Sequence, residues 1–164
     1  LKLHYQPARM DELAAIMVIE EAGFSPAEAA TKTAMAERIR LYPDTFIVAT
    51  DEANQVVGYI VGPAFSQRYL TDELFEQAHA NRRDDPYQTV LSLAVHPDFR
   101  GHGIGSQLLA ELAQVAKAQG RVAITLTCLA DLIPFYESND YQNEGISASS
   151  HAGETWYNLV YPLQ

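Results

Sequence analysis

The chain is poor in cysteine, in basic residues and in long apolar runs, and each shortage excludes something. A single cysteine, Cys128, among 164 residues rules out an intramolecular disulfide framework and suits a reducing, cytoplasmic setting. Lys and Arg number 11 against 21 Asp and Glu, a formal net charge of −10. Such a surface is unsuited to nucleic acid, which needs a basic face. It favours a cationic substrate such as an amine through long-range steering, although solubility alone also accounts for it. No apolar run approaches the roughly 20 residues of a membrane span. The opening LKLHYQPARMDE lacks the layout of a secretory signal. No histidine or cysteine cluster has ligand spacing, so no metal site is expected.

What is present is ordinary globular material. Hydrophobic residues make up 48% and charged residues 20%, enough for one domain over residues 1–164 with a real core. Residues 2–6 form a short expected strand. Leu13, Ile16, Met17 and Ile19 recur at helical spacing over residues 10–22. Ser25-Pro26-Ala27-Glu28 has the form of a capping box and predicts a second helix from Ser25 to about Tyr42. Phe46–Ala49 and Val56–Val61 read as a hairpin. Residues 64–86 read as a long polar loop with a short helix at 72–78. Gln88–His96 reads as one central strand and Val122–Cys128 as its parallel neighbour. Between them, residues 105–119 form an amphipathic helix ended by Gly120. A short helix over 131–139 with Asp131 as N-cap precedes closing strands from Tyr141 and over 156–161. The order is that of a single mixed α/β domain whose sheet has a parallel centre.

The most informative stretch is LSLAVHPDFRGHGIGS, residues 91–106. An apolar strand ends at His96-Pro97, and Arg100-Gly101-His102-Gly103-Ile104-Gly105 opens directly into a helix. Helix starts leave backbone N–H groups without partners and carry positive potential. Glycines remove the side chains that would keep an anion away. The physical reading is a cradle for a phosphate or pyrophosphate. The spacing fits neither the G-x-G-x-x-G dinucleotide fingerprint nor a P-loop, which would end in G-K-[ST].

This R-x-x-G-x-G pattern resembles the acetyl-CoA loop of the GNAT superfamily of N-acetyltransferases. A second stretch, CLADLIPFYE at 128–137, lies one strand later and looks like the helix start at which the same superfamily places a tyrosine near the coenzyme sulfur. The resemblance is closest to the arylalkylamine (serotonin) N-acetyltransferase branch, on LAVHPDFRGHGIG, LIPFYE and Glu21-Ala22-Gly23-Phe24. It implies a mixed sheet with helices on both faces, splayed between its fourth and fifth strands, here 88–96 and 122–128. Acetyl-CoA would lie in the gap as cosubstrate. The backbone amides of Arg100, Gly101, His102, Gly103, Ile104 and Gly105, with Ser106, would hold its pyrophosphate. The segment Leu93, Ala94, Val95 would pair with the pantetheine arm as an added strand does. An amide near Leu93 would polarise the thioester carbonyl, aimed by a bulge in the strand. Phe135 would pack inward, and Tyr136 would face the coenzyme and protonate the departing thiolate.

The chain departs from that branch at one place. Two histidines that help move the amine's proton there correspond to Thr89 and Leu91, and neither is a base. His79, Glu73, Asp84, Asp85 or a chain of waters are the candidate replacements. Arg82-Arg83-Asp84-Asp85 reads as a self-neutralising surface run, His96 as structural and Cys128 as a buried structural thiol. The expected activity is acetyl transfer to a primary amine, a small molecule or a peptide amine, by direct attack in a ternary complex. An acyl-CoA-binding regulatory module without catalysis is the alternative, and a different nucleotide-phosphate binder is the third. Polyamines, arylalkylamines, aminoglycosides, amino acids and protein N-termini all stand as acceptors at this point.

Overall fold

A computed structural model describes residues 1–164. The chain opens with β1 (His4–Pro7) and α1 (Leu13–Gly23), followed by α2 (Lys32–Leu41). Two strands, β2 (Phe46–Thr50) and β3 (Val56–Val61), form the expected hairpin. Every residue of both is buried, which suits a sheet covered on both faces. The stripe of α1 and α2 (Ile16, Met17, Ile19, Met35, Ile39) packs on one face against Phe46, Val48, Tyr59 and Val61. The helix α4 (Ile104–Ala118) places Leu108, Leu109, Leu112 and Ala116 on the other face, against Ile47, Ala49, Val57 and Ile60. Gly120, at φ +78°, turns the chain out of α4 while Arg121 N–H returns to the Ala116 carbonyl at 3.0 Å.

The central strand expected over 88–96 is two strands. β5 (Tyr87–Val90) and β6 (Ser92–Val95) meet at a bend on Leu91 and belong to different sheets. One sheet has the order β1-β2-β3-β6. The other includes the two-residue β4 (Ala64–Phe65), β7 (Ala123–Cys128), β8 (Gln142–Ile146) and β9 (Tyr157–Pro162), in the order β4-β5-β7-β9-β8. β5 runs parallel to β7, with Tyr87 opposite Ala123. Beyond Leu91 the two halves part, so the splay opens between β6 and β7. The cause is local. The fully buried Gln88 side chain donates to the carbonyls of Gly62 (2.8 Å) and Thr89 (2.9 Å), and Thr89 N–H and Oγ1 both bond the Pro63 carbonyl. These bonds tie the end of β3 to β5 across the junction.

Three more expectations need correction. The second helix starts at Lys32, with Thr31 as its cap (Ala34 N–H to Oγ1, 3.1 Å). Ser25 and Glu28 do bond each other, but they close only one turn. The Ala30 amide, which would continue that turn, is taken at 2.8 Å by the buried Glu20 carboxylate. Asp131 caps nothing. It is exposed in a 3-10 turn (Ala130–Leu132), and α5 (Ile133–Ser138) follows with no side-chain cap. The loop over 64–86 contains β4, and its short helix α3 is Glu73–Glu76. Arg68 bonds Glu144 through two nitrogens (2.8 and 2.6 Å), which clips this segment to β8.

Candidate active site

The cradle forms as its glycines require. Gly101 and Gly103 lie at φ +83° and +74°, left-handed conformations that an L side chain resists, and a Cβ at either would point into open space. Gly103 is the N-cap of α4 and supplies no side-chain acceptor. The first amide of the helix to find one is that of Gln107, bonded to the Gly103 carbonyl at 3.0 Å. The seven amides from Arg100 to Ser106 therefore have no acceptor within the protein, and they stand where the helix dipole is positive. Gly105 is constrained in a different way: a Cβ there would lie 3.2 Å from Cζ of Phe135, so the ring would have to shift by a few tenths of an ångström.

β6 presents a free edge beside this cradle. His96 N–H donates to the Val57 carbonyl at 2.7 Å, and Ala94 lies opposite Tyr59. Hydrogen-bonded pairs alternate along an antiparallel ladder. Ser92 and Ala94 thus face β3, while Leu93 and Val95 turn their N–H and C=O groups to the opposite edge. No strand covers that edge. Arg100 Nε reaches back to the Val95 carbonyl at 3.4 Å.

Cradle and edge share one cavity of about 450 Å³. Leu93, Ala94, Val95, Arg100, Gly101, Gly103, Ile104, Gly105, Ser106, Phe135 and Tyr136 line it; the exposed His102 side chain does not. Phe135 is half-buried, so it both packs on Gly105 and forms part of this wall. A second cavity, of about 410 Å³, opens on the other side of Leu93 and Tyr136, which line both. Its walls come from α1, α2, α3, β5, β6, β7 and the segment around His151 and Trp156. Tyr136 is 7% exposed, packed edge-on against Phe135 and Tyr141. Burial first, and Cys128 second, push its phenol above the usual value. Such a group stays protonated at neutral pH and can only give a proton.

The family model described as "Acetyltransferase (GNAT) domain" matches residues 43–143, more than half of the chain. The chain belongs to the GNAT acetyltransferase family. Acetyltransferase SG1711 of Sodalis glossinidius is 32% identical over 103 residues, 61% of this chain and 58% of that protein; the match thus spans less than two thirds of that relative's length. Ard1 from Thermoplasma volcanium superposes with a TM-score of 0.80 at 19% identity, covering 100% of this chain and 99% of that one. The GNAT-like decarboxylase GphF, solved with isobutyryl-CoA, gives 0.80 at 15% (98% and 100% covered). A chain of the NatC complex bound to Gag peptide and CoA gives 0.78 at 18%, with both chains fully covered. At these identities the three structures show a shared fold. No helix of this GNAT domain is long and apolar enough to cross a membrane.

The candidate bases in the 64–86 loop do not come to the site. Glu73, His79, Asp84 and Asp85 line neither cavity, and His79 Nε2 sits 3.3 Å from the Ala64 carbonyl. Thr89 is spent on Pro63, whereas Leu91 does reach the second cavity. His96 is structural, its Nδ1 accepting from Asp98 N–H at 3.1 Å. Cys128 lines the second cavity, but burial and then Asp131 push its thiol up to about 12, so it is no thiolate nucleophile.

Two residues of this GNAT domain escaped the sequence reading. Glu20 is 1% exposed and lines the second cavity, accepting from Tyr59 Oη, from Ala30 N–H and from Ser92 Oγ at 3.3 Å. Arg38 is 2% exposed and lines the same cavity. Both signals are present in the sequence. Leu13, Ile16, Met17 and position 20 share one helical stripe, as do Met35, position 38, Ile39 and Tyr42. A charge on a buried stripe needs a reason.

Proposed function

We propose that this protein transfers the acetyl group of acetyl-CoA to a primary amine by direct attack, with both substrates bound together. One observation carries the reading: seven consecutive unpaired amides at Arg100–Ser106 stand beside the uncovered edge of β6, and Tyr136 lies where two cavities meet. The pyrophosphate of acetyl-CoA fits the cradle, and its pantetheine arm fits the edge at Leu93 and Val95 as an added strand. Acetyl-CoA supplies the activated acetyl group and a thiolate leaving group. In this reading the Leu93 amide polarises the thioester carbonyl and Tyr136 protonates the departing sulfur. The second cavity receives the amine. Its proton passes through the Ser92 hydroxyl to Glu20, the one buried carboxylate on that wall.

The arylalkylamine branch lends this reading its coenzyme loop and its tyrosine, but not its proton route, since Thr89 and Leu91 hold the two histidine positions. Small-molecule amines and peptide amines are both acceptors of the right chemistry, and the cytoplasm, where a lone buried thiol stays reduced, is the compartment that suits the chain. A thermal-shift titration with acetyl-CoA followed by CoA release on an amine panel tests it. Stabilisation by acetyl-CoA and turnover on at least one amine are expected. Tight binding with no turnover on any amine would make the protein an acyl-CoA-binding module. Stabilisation by ATP or NAD but not by CoA would make it a different phosphate binder.

A further inference from the structure

The second cavity contains a charge that the fold leaves unpaired. Arg38 projects from the buried stripe of α2 and is 2% exposed. A guanidinium offers five donors and stays charged at every working pH. The structure gives this one a single hydrogen bond, from Nη2 to the Phe75 carbonyl at 3.4 Å. Nη1 is buried with no partner at all. No carboxylate oxygen lies within 4.0 Å, since the ion pairs of the chain are elsewhere. A buried cation without an anion is costly, and a carboxylate, whose two oxygens match the guanidinium fork, offsets that cost well.

The other charged walls of the cavity are acidic. Glu20 in its wall is buried, Glu28 half-buried and Glu76 exposed. Glu20 and Arg38 are both close enough to Tyr59 to act on its hydroxyl, in opposite senses. The cavity is thus bipolar: a carboxylate and Ser92 beside β6, where acetyl transfer would occur, and a guanidinium without an anionic partner on the α2 wall. An ammonium matches the first end and a carboxylate the second.

We infer that the acceptor is an amine that also carries a carboxylate, an amino acid or close analogue, whose carboxylate is held by Arg38. This rests on the acetyltransferase reading above and narrows its substrate. The reaction joins the amine nitrogen to the acetyl carbon and breaks the C–S bond. The nitrogen loses one proton and the sulfur gains one, giving an N-acetyl amino acid and CoA.

Matched pairs test it: amino acids against the amines left by removing the carboxyl group, such as phenylalanine against phenethylamine and lysine against cadaverine. The amino acid of at least one pair should have the higher kcat/KM by about tenfold or more, the worth of one charge-assisted contact. Arg38→Met should erase that preference through KM, with the thermal shift from acetyl-CoA unchanged, and Arg38→Lys should restore part of it. A binding readout stands apart from turnover: the N-acetyl amino acid should raise the melting temperature of the wild type and not of Arg38→Met. Equal or better turnover of the decarboxylated members overturns the inference, as does a preference that survives in Arg38→Met. Should Arg38→Met fail to fold, the matched pairs and Arg38→Lys decide alone. Loss of the acetyl-CoA shift in the wild type would instead strike the acetyltransferase reading itself.

Discussion

Tyr136 is kept in its acid form by where it sits. Burial raises its phenol above the usual value of about 10, and the neighbouring Cys128 adds to the effect. The proton is therefore present throughout the range in which amines become nucleophilic. Tyr136→Phe keeps the ring packed between Phe135 and Tyr141 and removes only the hydroxyl. It should lower kcat by about 10²-fold, typical for a lost general acid, without changing the acetyl-CoA thermal shift. Because a raised pKa delays proton loss to higher pH, the wild-type kcat should show no decline from this group between pH 7 and 10. Full turnover by the Phe variant at every pH removes the acid role. The position of Tyr136 on the walls of both cavities was legible because LIPFYE is a local pattern. The Glu20 partnership was not, because its partners Tyr59 and Ser92 come from distant strands. Glu73, His79, Asp84 and Asp85 in the polar 64–86 segment line neither cavity, whereas the Glu20 carboxylate is held on a buried helix face that lines one.

Among the elements, the bend at Leu91 matters most, since it divides one apolar run between two sheets and opens the gap between them. Periodicity shows Gln88–His96 as apolar on both faces and carries no sign of the division. That sign is tertiary: Gln88 ties two carbonyls together, and Gly62 passes so close to β5 that a Cβ on it would lie 2.0 Å from the Thr89 carbonyl oxygen. Backbone cannot yield there as a flexible side chain can. Gly62→Ala should destabilise the protein by about 3 kcal/mol, seen as a lowered urea midpoint, and widen or close the cleft. Gly101→Ala is the contrasting case. Its methyl meets open space, so stability should fall by only about 1–2 kcal/mol from the left-handed backbone. Acetyl-CoA affinity, read by calorimetry, should fall more than stability does, because the methyl points where the pyrophosphate would lie. If Gly101→Ala binds acetyl-CoA as the wild type does, the cradle is not the diphosphate site. The loop was legible from sequence as a glycine-rich turn opening into a helix, whereas the left-handed turns at Gly101 and Gly103 and the packing of Gly105 on Phe135 show only in the fold.

Over the whole molecule, the net charge of −10 opposes the binding of an anionic thioester carrier. The amides of the cradle act only at contact, so attraction and repulsion operate over different ranges. Screening length falls from about 30 Å at 0.01 M salt to about 8 Å at 0.15 M, which removes the long-range repulsion and spares buried contacts. The association rate of acetyl-CoA, followed by stopped flow, should therefore rise severalfold with salt while its dissociation rate changes little. The acceptor responds according to its own charge. A diamine, drawn in by the acidic surface, would lose kcat/KM as salt rises. An amino acid with an uncharged side chain, such as phenylalanine, has no net charge to steer and should respond weakly, so the salt series separates it from a diamine independently of Arg38. An acetyl-CoA association rate that falls with salt would mean that Arg100 and the start of α4 outweigh the rest of the surface, and that capture begins at the cradle.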